Sequence, residues 1–181
     1  MSLPTAPKTN ILRRFRRNRR GSVAVEFALV APLFFALLFA ILEAAIVFFA
    51  GQLLELGTAE SARLMMTHQA QDSGMTETAF KTNLCNRIKV MFKCDGNLAN
   101  ITVDVKVFTP GTAITITDPI VSGSLTGPFS YSLPPAGSPN TIVVRAFYKW
   151  PLFVTGLGFN LANLNGSERL LAATAAFHVE P

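Results

Sequence analysis

The pattern of apolar and polar positions separates a long apolar run from a region of strand-like alternation. Between Phe27 and Ala50 the only charged side chain is Glu43. As a helix, this run of about 24 residues would be about 36 Å long, enough to cross a hydrocarbon core of about 30 Å. The residues that follow, up to residue 71, lack proline and place apolar or small side chains at helical spacing. The pattern therefore predicts one long helix over residues 22–71, with a transmembrane segment at about 27–50.

A second helix is expected directly after the first. The sequence Asp72-Ser73-Gly74 is suited to ending a helix. Residues 75–92 then show an amphipathic helical pattern that Thr76 and Glu77 open. The sequence therefore predicts a separate second helix.

After residue 97 the period of the pattern changes from helical to alternating. Alternation predicts strands at residues 101–107, 113–117, 141–150 and 171–179. Residues 118–140 are dense in Gly, Pro and Ser and predict a long loop, whereas 151–164 predict a short helix or a surface loop. The expected fold class is α+β: a long N-terminal transmembrane helix followed by a small exported domain, residues 72–181, with a helix packed on an antiparallel sheet.

The apolar run has a second interpretation as the core of a secretory signal peptide. Such a core has about 7–15 apolar residues and ends in a site of small residues. This run is longer and ends Phe48-Phe49-Ala50, so an anchor is favoured. The basic residues directly before it predict a cytoplasmic N-terminus and an exported remainder. These topology residues are Arg13, Arg14, Arg16, Arg17, Arg19 and Arg20.

The charge distribution argues against a nucleic-acid-binding surface. The net charge is +5, but residues 1–21 contain Lys8, all six of those arginines and no acid. The rest of the chain carries more acidic than basic side chains. Because the basicity is confined to a short leader, no nucleic-acid partner is expected.

The two cysteines, Cys85 and Cys94, lie on either side of the expected junction between the second helix and the first strand. In an oxidising exported compartment a disulfide between them is favoured, and two buried free thiols are the alternative. No metal site is expected, because neither His68 nor His178 stands at ligand spacing from them.

Glu26 stands at the beginning of the apolar run, where an unpaired carboxylate is costly. If a peptidase cut after Gly21, Ser22 would acquire a free amino group that is mostly protonated at neutral pH. Ser22 and Glu26 are four residues apart and would share one helix face, so the amine could pair with the carboxylate within a chain or between staggered chains. The alternative is that Glu26 is exposed and unpaired at the depth of the headgroups.

Two further residues within the run have open interpretations. Glu43 either reaches the interface by snorkelling or meets a partner helix or a cation within an assembly. Pro32 either kinks or unwinds the helix and frees carbonyls for neighbours, or is a tolerated membrane proline without a role.

The basic leader, Gly21 and the following SVAVEF resemble the type III signal of pilins related to type IV pili. The longer segment GSVAVEFALVAPLFFALLFAILEAAIVFFAGQLLELGTAESAR is similar to the TadE-like family of the tight-adherence (Tad/Flp) type IVb pilus system. The features that carry the resemblance are Glu26-Phe27, Pro32, Glu43 and the small-residue helix ending Ala62-Arg63. The resemblance implies that Glu26, Phe27, Pro32 and Glu43 take part in helix assembly.

The resemblance also implies a function. The chain would be a minor pilin or pseudopilin that a prepilin peptidase cuts between Gly21 and Ser22. Its partners would be other pilin-like subunits, inner-membrane proteins of the Tad apparatus and the lipid bilayer. It would cross the bacterial inner membrane once, with a periplasmic C-terminal domain, or become extracellular in an adhesive pilus.

Catalytic motifs are absent from the sequence. There is no phosphate-binding glycine loop followed by lysine, no G-x-S-x-G, no H-E-x-x-H and no C-x-x-C. We therefore expect a structural protein without an enzymatic activity, cofactor or small-molecule substrate. The alternatives are an uncleaved, signal-anchored periplasmic binding or scaffold module and a membrane-anchored enzyme.

Overall fold

The computed structural model describes residues 21–94, 98–135, 139–155 and 159–179. The chain divides into two compact units, one ending at Ala40 and the other beginning at Ile41. The elements in chain order are α1 (Ser22–Met66), α2 (Gln69–Asp72), α3 (Glu77–Ile88), a 3₁₀ turn (Leu98–Asn100), β1 (Ile101–Phe108), β2 (Ile120–Val121), β3 (Ser124–Leu125), β4 (Thr141–Pro151) and β5 (Glu168–His178). The predicted α+β fold class is confirmed.

In the first unit, α1 has apolar side chains on every side. Phe27, Leu29 and Leu33 are among many large apolar residues that are exposed there. A helix that is apolar all round is stable only when apolar surroundings cover it. By length and composition α1 can cross a membrane, and no other helix within the described residues meets both conditions.

The long helix ends at Met66, before the predicted residue 71. His68 has a left-handed backbone with φ of 61°, which interrupts the helical geometry, and the short helix α2 follows directly. The carbonyl of Met65 accepts hydrogen bonds from His68 N at 3.3 Å and from the side-chain amide of Gln71 at 2.9 Å. The break turns the chain so that Ala70 is fully buried.

Gly57 permits a close approach between α1 and α3. A Cβ built on this glycine would lie 2.5 Å from Cγ2 of Ile88 and 3.2 Å from Cδ1 of Leu84. Ser61, one turn further along, donates a hydrogen bond to Asn83 at 3.3 Å. Gly57 is therefore a packing residue inside a continuous helix and does not break it.

We expect Gly57→Ala to lower the free energy of unfolding by up to about 2 kcal/mol. Overpacking against the fully buried, β-branched Ile88 costs about 1–3 kcal/mol, and the better helix propensity of alanine returns about 1 kcal/mol. Gly51→Ala is the matched control, because nothing lies within 4 Å of its Cβ position in the same helix. Denaturant unfolding should show that the control is neutral or stabilising. Equal effects of the two substitutions would disprove the close approach.

The helix α3 begins as the sequence predicts. Thr76 is its N-cap, and the Thr76 hydroxyl accepts a hydrogen bond from Ala79 N at 3.2 Å. Arg87, near the other end, forms an ion pair with Glu60 of α1 at 2.7 Å. The cap defines the start of α3, and the ion pair connects its last turn to α1.

Three of the predicted strands form one antiparallel sheet in the order β1-β4-β5. Its first face packs on α1 and α3 and forms the main core, which contains Leu54, Met65, Phe80, Leu84, Ile88, Val103, Val105, Val144, Ala146, Tyr148 and Ala173. The predicted packing of a helix on a sheet is confirmed. A second, smaller core on the opposite face contains Phe147, Leu164 and Leu170.

The predicted strand at 113–117 is wrong, because these residues have no strand structure. Ile114 and Ile116 are exposed, and the Thr117 carbonyl accepts a hydrogen bond from Arg145 at 3.0 Å. A small hairpin, β2–β3, occurs instead within the predicted loop. The connection between β1 and β4 therefore contributes cover for the second face of the sheet.

The free edge of β1 is paired in part by this connection. Val105 N donates to Ser130 O at 2.6 Å, and Ser132 N donates to Val105 O at 3.2 Å. Between them, Tyr131 packs on Phe80 with a ring-centroid distance of 6.0 Å. Its buried phenol oxygen has no hydrogen-bond partner within the described ranges. Burial, and secondarily the negative charge of Glu77, raises the pKa of Tyr131 to about 12.

Asp104 and Arg145 form a buried ion pair on the second face. Arg145 donates to Oδ2 of Asp104 from Nη2 at 2.6 Å and from Nε at 3.0 Å. Ser130 N donates to Oδ1 at 2.9 Å, and the guanidinium lies 5.3 Å from the ring centroid of Phe147. Asp104 is 1% exposed, so the second face of the strand is buried at this position, whereas Thr102 and Lys106 on the same face are partly exposed.

Candidate assembly helix

Gly21 and Ser22, the predicted processing residues, lie at the start of α1. Both are exposed, and nothing lies within 4 Å of the position that a Cβ on Gly21 would occupy. Ser22 is the first residue of the helix. Within the described residues, nothing covers the bond between them. The six predicted topology arginines lie outside the described residues.

Glu26 lies one helical turn beyond Ser22, and its side chain is exposed. The ion pairs of the described residues do not include Glu26. Its neighbours Val25 and Phe27 are also exposed, at 60% and 67%. The surface around this carboxylate is therefore apolar, and i, i+4 geometry places Ser22 on the same helix face.

The helix continues without interruption through Pro32. Proline has no N–H, so the carbonyl four residues earlier, that of Ala28, loses its helical hydrogen-bond donor. In lipid or in a helix assembly this oxygen needs another donor or a local adjustment of the backbone. Pro32 thus removes one helical hydrogen-bond donor from the apolar part of α1.

Glu43 is bound within the second unit. It is 8% exposed, and its carboxylate accepts hydrogen bonds from the backbone N–H groups of Phe153 and Val154. Val154 N lies 3.1 Å from Oε1 and 3.2 Å from Oε2. Two backbone donors to one carboxylate are charge-assisted bonds that compensate for its burial. The sequence interpretations did not include this partner, which is 110 residues away.

Glu43 belongs to a buried stripe of α1 that the C-terminal domain covers. The stripe consists of Glu43, Val47, Ala50 and Leu54. Phe48 and Phe49 lie between these positions and are 71% and 61% exposed. The last part of the predicted transmembrane segment therefore has one face against the domain and an apolar face without cover.

Cys85 and Cys94 form a disulfide with Cα atoms 5.8 Å apart. Cys85 lies in the last turns of α3, and Cys94 lies in the connection to β1. The bridge closes a short loop between the helix and the sheet that packs on it. The favoured sequence interpretation is thus the one that the structure adopts.

We expect no thiol labelling of the native chain without prior reduction, because the sequence has two cysteines and both are bridged. Replacing both by serine should lower the free energy of unfolding by about 2–3 kcal/mol, since the unfolded chain is no longer constrained. Labelling under denaturing conditions, before and after a reductant, measures the redox state. Full labelling of the unreduced chain would disprove the bridge.

Ligand chemistry has little support in the part of the chain that the structure describes. It contains no group of three or more His, Cys, Asp or Glu side chains arranged to hold a metal ion. The carboxylate with the clearest set of partners, Glu43, binds backbone amides of its own chain. The candidate site is therefore a helix surface and not a cavity.

The described part of α1 contains a match to a known protein family. Residues 21–63 match the family model described as TadE-like protein. No curated protein matches the chain significantly, and no solved structure does. The match contains Gly21, Ser22, Glu26, Pro32 and Glu43, and it ends at Arg63 in the last turn of α1. The predicted resemblance to the TadE-like family is thus confirmed for residues 21–63.

Proposed function

We propose that this protein is a minor pilin or pseudopilin of a Tad pilus, with a structural and not an enzymatic role. The observation that carries the proposal is the first part of α1 within the TadE-like match. It is apolar on every side, exposed, and interrupted by one carboxylate, Glu26, a single turn after Ser22. A surface of this kind is suited to storage in a bilayer and to packing among similar helices.

Processing would convert this helix from an anchor into an assembly element. A prepilin peptidase would cut between Gly21 and Ser22 and remove the basic leader with its topology signal. The new amino group of Ser22 would then be the cation that Glu26 lacks. Within one chain it could pair with its own Glu26, and between chains it could pair with that of a neighbour and set the axial stagger.

The location follows from the same elements. The basic leader favours a cytoplasmic N-terminus, which leaves the sheet and α3 on the periplasmic side of the inner membrane. The Cys85–Cys94 disulfide supports an exported domain, because such bridges persist in oxidising compartments. The partners would be other pilin-like subunits and inner-membrane proteins of the Tad apparatus.

The test is the intact mass and N-terminal sequence of the chain isolated from its native membrane. The proposal expects a chain that begins at Ser22. Gly21→Leu should leave the precursor uncut, because a branched side chain would stand where the peptidase meets a bare backbone. Ser22→Ala is the matched control and should be cut normally, since it retains the same backbone and amine.

A chain beginning at Met1 or Ser2, in cells with an active prepilin peptidase, would refute processing. It would leave an uncleaved, signal-anchored periplasmic binding or scaffold module. A start near Gly51 would show that the apolar run is a signal peptide. These masses are far enough apart to be distinguished in one measurement.

A further inference from the structure

The connection from β4 to β5 has the composition of a membrane-contacting segment. From Trp150 to Ser167 the sequence has no charged side chain. Leu152 is buried and holds the start of the connection in the core, whereas the next residue, Phe153, is 86% exposed. Phe159, further along, is 43% exposed. Phe153 is therefore a large, exposed apolar side chain at the start of an uncharged segment.

Hydrogen bonds to Glu43 fix the height of this segment along α1. Phe153 N and Val154 N both donate to the Glu43 carboxylate. Glu43 lies seven residues before Ala50, the last residue of the apolar run, which corresponds to about 10 Å of helix. The segment is therefore attached beside the apolar run and not beyond its end.

The helix at the same height is also apolar and uncovered on part of its surface. Leu42 and Ile46 flank Glu43 and are each 48% exposed, and Phe49 is 61% exposed. These side chains and Phe153 belong to the same compact unit. If α1 is in the bilayer up to this height, Phe153 cannot remain in water without pulling apolar helix out of the lipid.

We propose that Phe153 inserts into the exported leaflet of the bilayer, and that the hydrogen bonds from Phe153 N and Val154 N to Glu43 hold it there. This inference rests on the membrane anchor of the proposed function. We assign lipid as the partner that covers Phe153, because Glu43, which binds Phe153 N, lies within the apolar run itself. Glu43 thereby has a positioning role: its charge is compensated by two amides, and those amides position an apolar side chain at the lipid.

The experiment uses the full chain in phosphatidylcholine–phosphatidylglycerol vesicles, with Phe153→Trp as the reporter. The natural Trp150 packs on Phe92 and Tyr148, and the unsubstituted chain provides its background signal. We expect emission from the new indole to shift to shorter wavelength in vesicles and to lose intensity when the lipids carry bromine on their acyl chains. Ile114→Trp, an exposed position in the connection between β1 and β4, is the control and should show neither change.

Flotation of the same vesicles separates the two possible failures. If the chain floats with the lipid but the indole of Phe153→Trp is quenched no more than that of Ile114→Trp, the lipid assignment is wrong and a protein neighbour must cover Phe153. If the chain does not float, the shared anchor is wrong, and the loop proposal fails with it. Processing after Gly21 is measured by mass and is independent of both results.

Glu43→Ala in the Phe153→Trp chain tests the attachment. Removal of the carboxylate leaves two amides without their acceptor, so we expect a loss of quenching while circular dichroism shows the helices and sheet retained. Undiminished quenching in a folded chain would show that Glu43 does not position the loop. Glu55→Ala, an exposed carboxylate of the same helix, is the matched control.

Discussion

Arg145→Met should lower the free energy of unfolding by about 3–5 kcal/mol, the largest effect expected for a single substitution in this protein. The substitution removes both Arg145 donors to Oδ2 of Asp104 and leaves a carboxylate that is 1% exposed with only the longer contact to Lys106, at 3.9 Å. Breaking a buried pair from one side is costly because the remaining charge stays desolvated. Denaturant unfolding of the full chain in detergent micelles, followed by the fluorescence of Trp150, measures the change.

Lys106→Met is the matched control for this prediction. Lys106 Nζ lies 3.9 Å from the same Oδ2, but its side chain is 25% exposed. A partly solvated pair contributes about 0–1 kcal/mol, so the same loss of one positive charge should have little effect. Similar losses for both substitutions would contradict the burial of the Asp104–Arg145 pair.

A double substitution distinguishes the contribution of the ion pair from that of the hydrogen bonds around it. Asp104→Leu with Arg145→Met removes both charges and should recover most of the stability that Arg145→Met loses, since apolar replacement of a whole buried pair is often close to neutral. Recovery will be incomplete, because Ser130 N and Thr117 O each lose a hydrogen-bond partner. No recovery at all would assign the loss to those backbone contacts.

The Asp104–Arg145 pair could be predicted from the sequence only in part. The alternation around Asp104 correctly predicts a strand, because side chains in a strand point alternately to the core and to the opposite face. It does not report what covers the other face. Arg145 is 41 residues away, and the covering connection includes residues whose own alternation, at 113–117, predicts a strand that does not form. Alternation without a neighbouring strand to pair with is not sufficient for a strand.

In the candidate site, too, local features could be predicted from the sequence and long-range contacts could not. The apolar length, Gly21, Glu26 and Pro32 are local features, and a single sequence is enough to predict the helix that contains them. The partners of Glu43 are two backbone N–H groups that follow a strand distant in the sequence. Every residue except proline has a backbone N–H, so the sequence does not indicate which ones bind a carboxylate. The end of α1 was not predicted, because it depends on the left-handed backbone of His68. Histidine is not a residue type whose presence marks such a conformation. The topology arginines and the role of each helix residue in assembly stay predictions.

Glu26→Ala should leave membrane insertion intact and reduce incorporation into the pilus assembly by at least about tenfold. The apolar surroundings of Glu26 make its carboxylate a cost to insertion, so alanine cannot impair the anchor. Its proposed partner, the amine of Ser22 after cleavage, would attract it by about 4 kcal/mol at 4 Å and an effective dielectric near 20, before desolvation is subtracted. A remainder of about 1.4 kcal/mol already corresponds to tenfold in assembly.

The measurement compares two fractions of the same cells. Carbonate extraction of membranes reports insertion, and the sheared surface fraction or cross-linking to neighbouring subunits reports incorporation. Glu55→Ala is the control, because Glu55 is an exposed carboxylate of the same helix beyond the apolar run. Glu26→Gln adds a finer comparison: it keeps the size of the side chain and removes the charge, so it should resemble Glu26→Ala if charge sets the register. Normal incorporation of the Glu26 variants would mean that helix packing alone determines the stagger, and that the carboxylate is merely tolerated at the membrane surface.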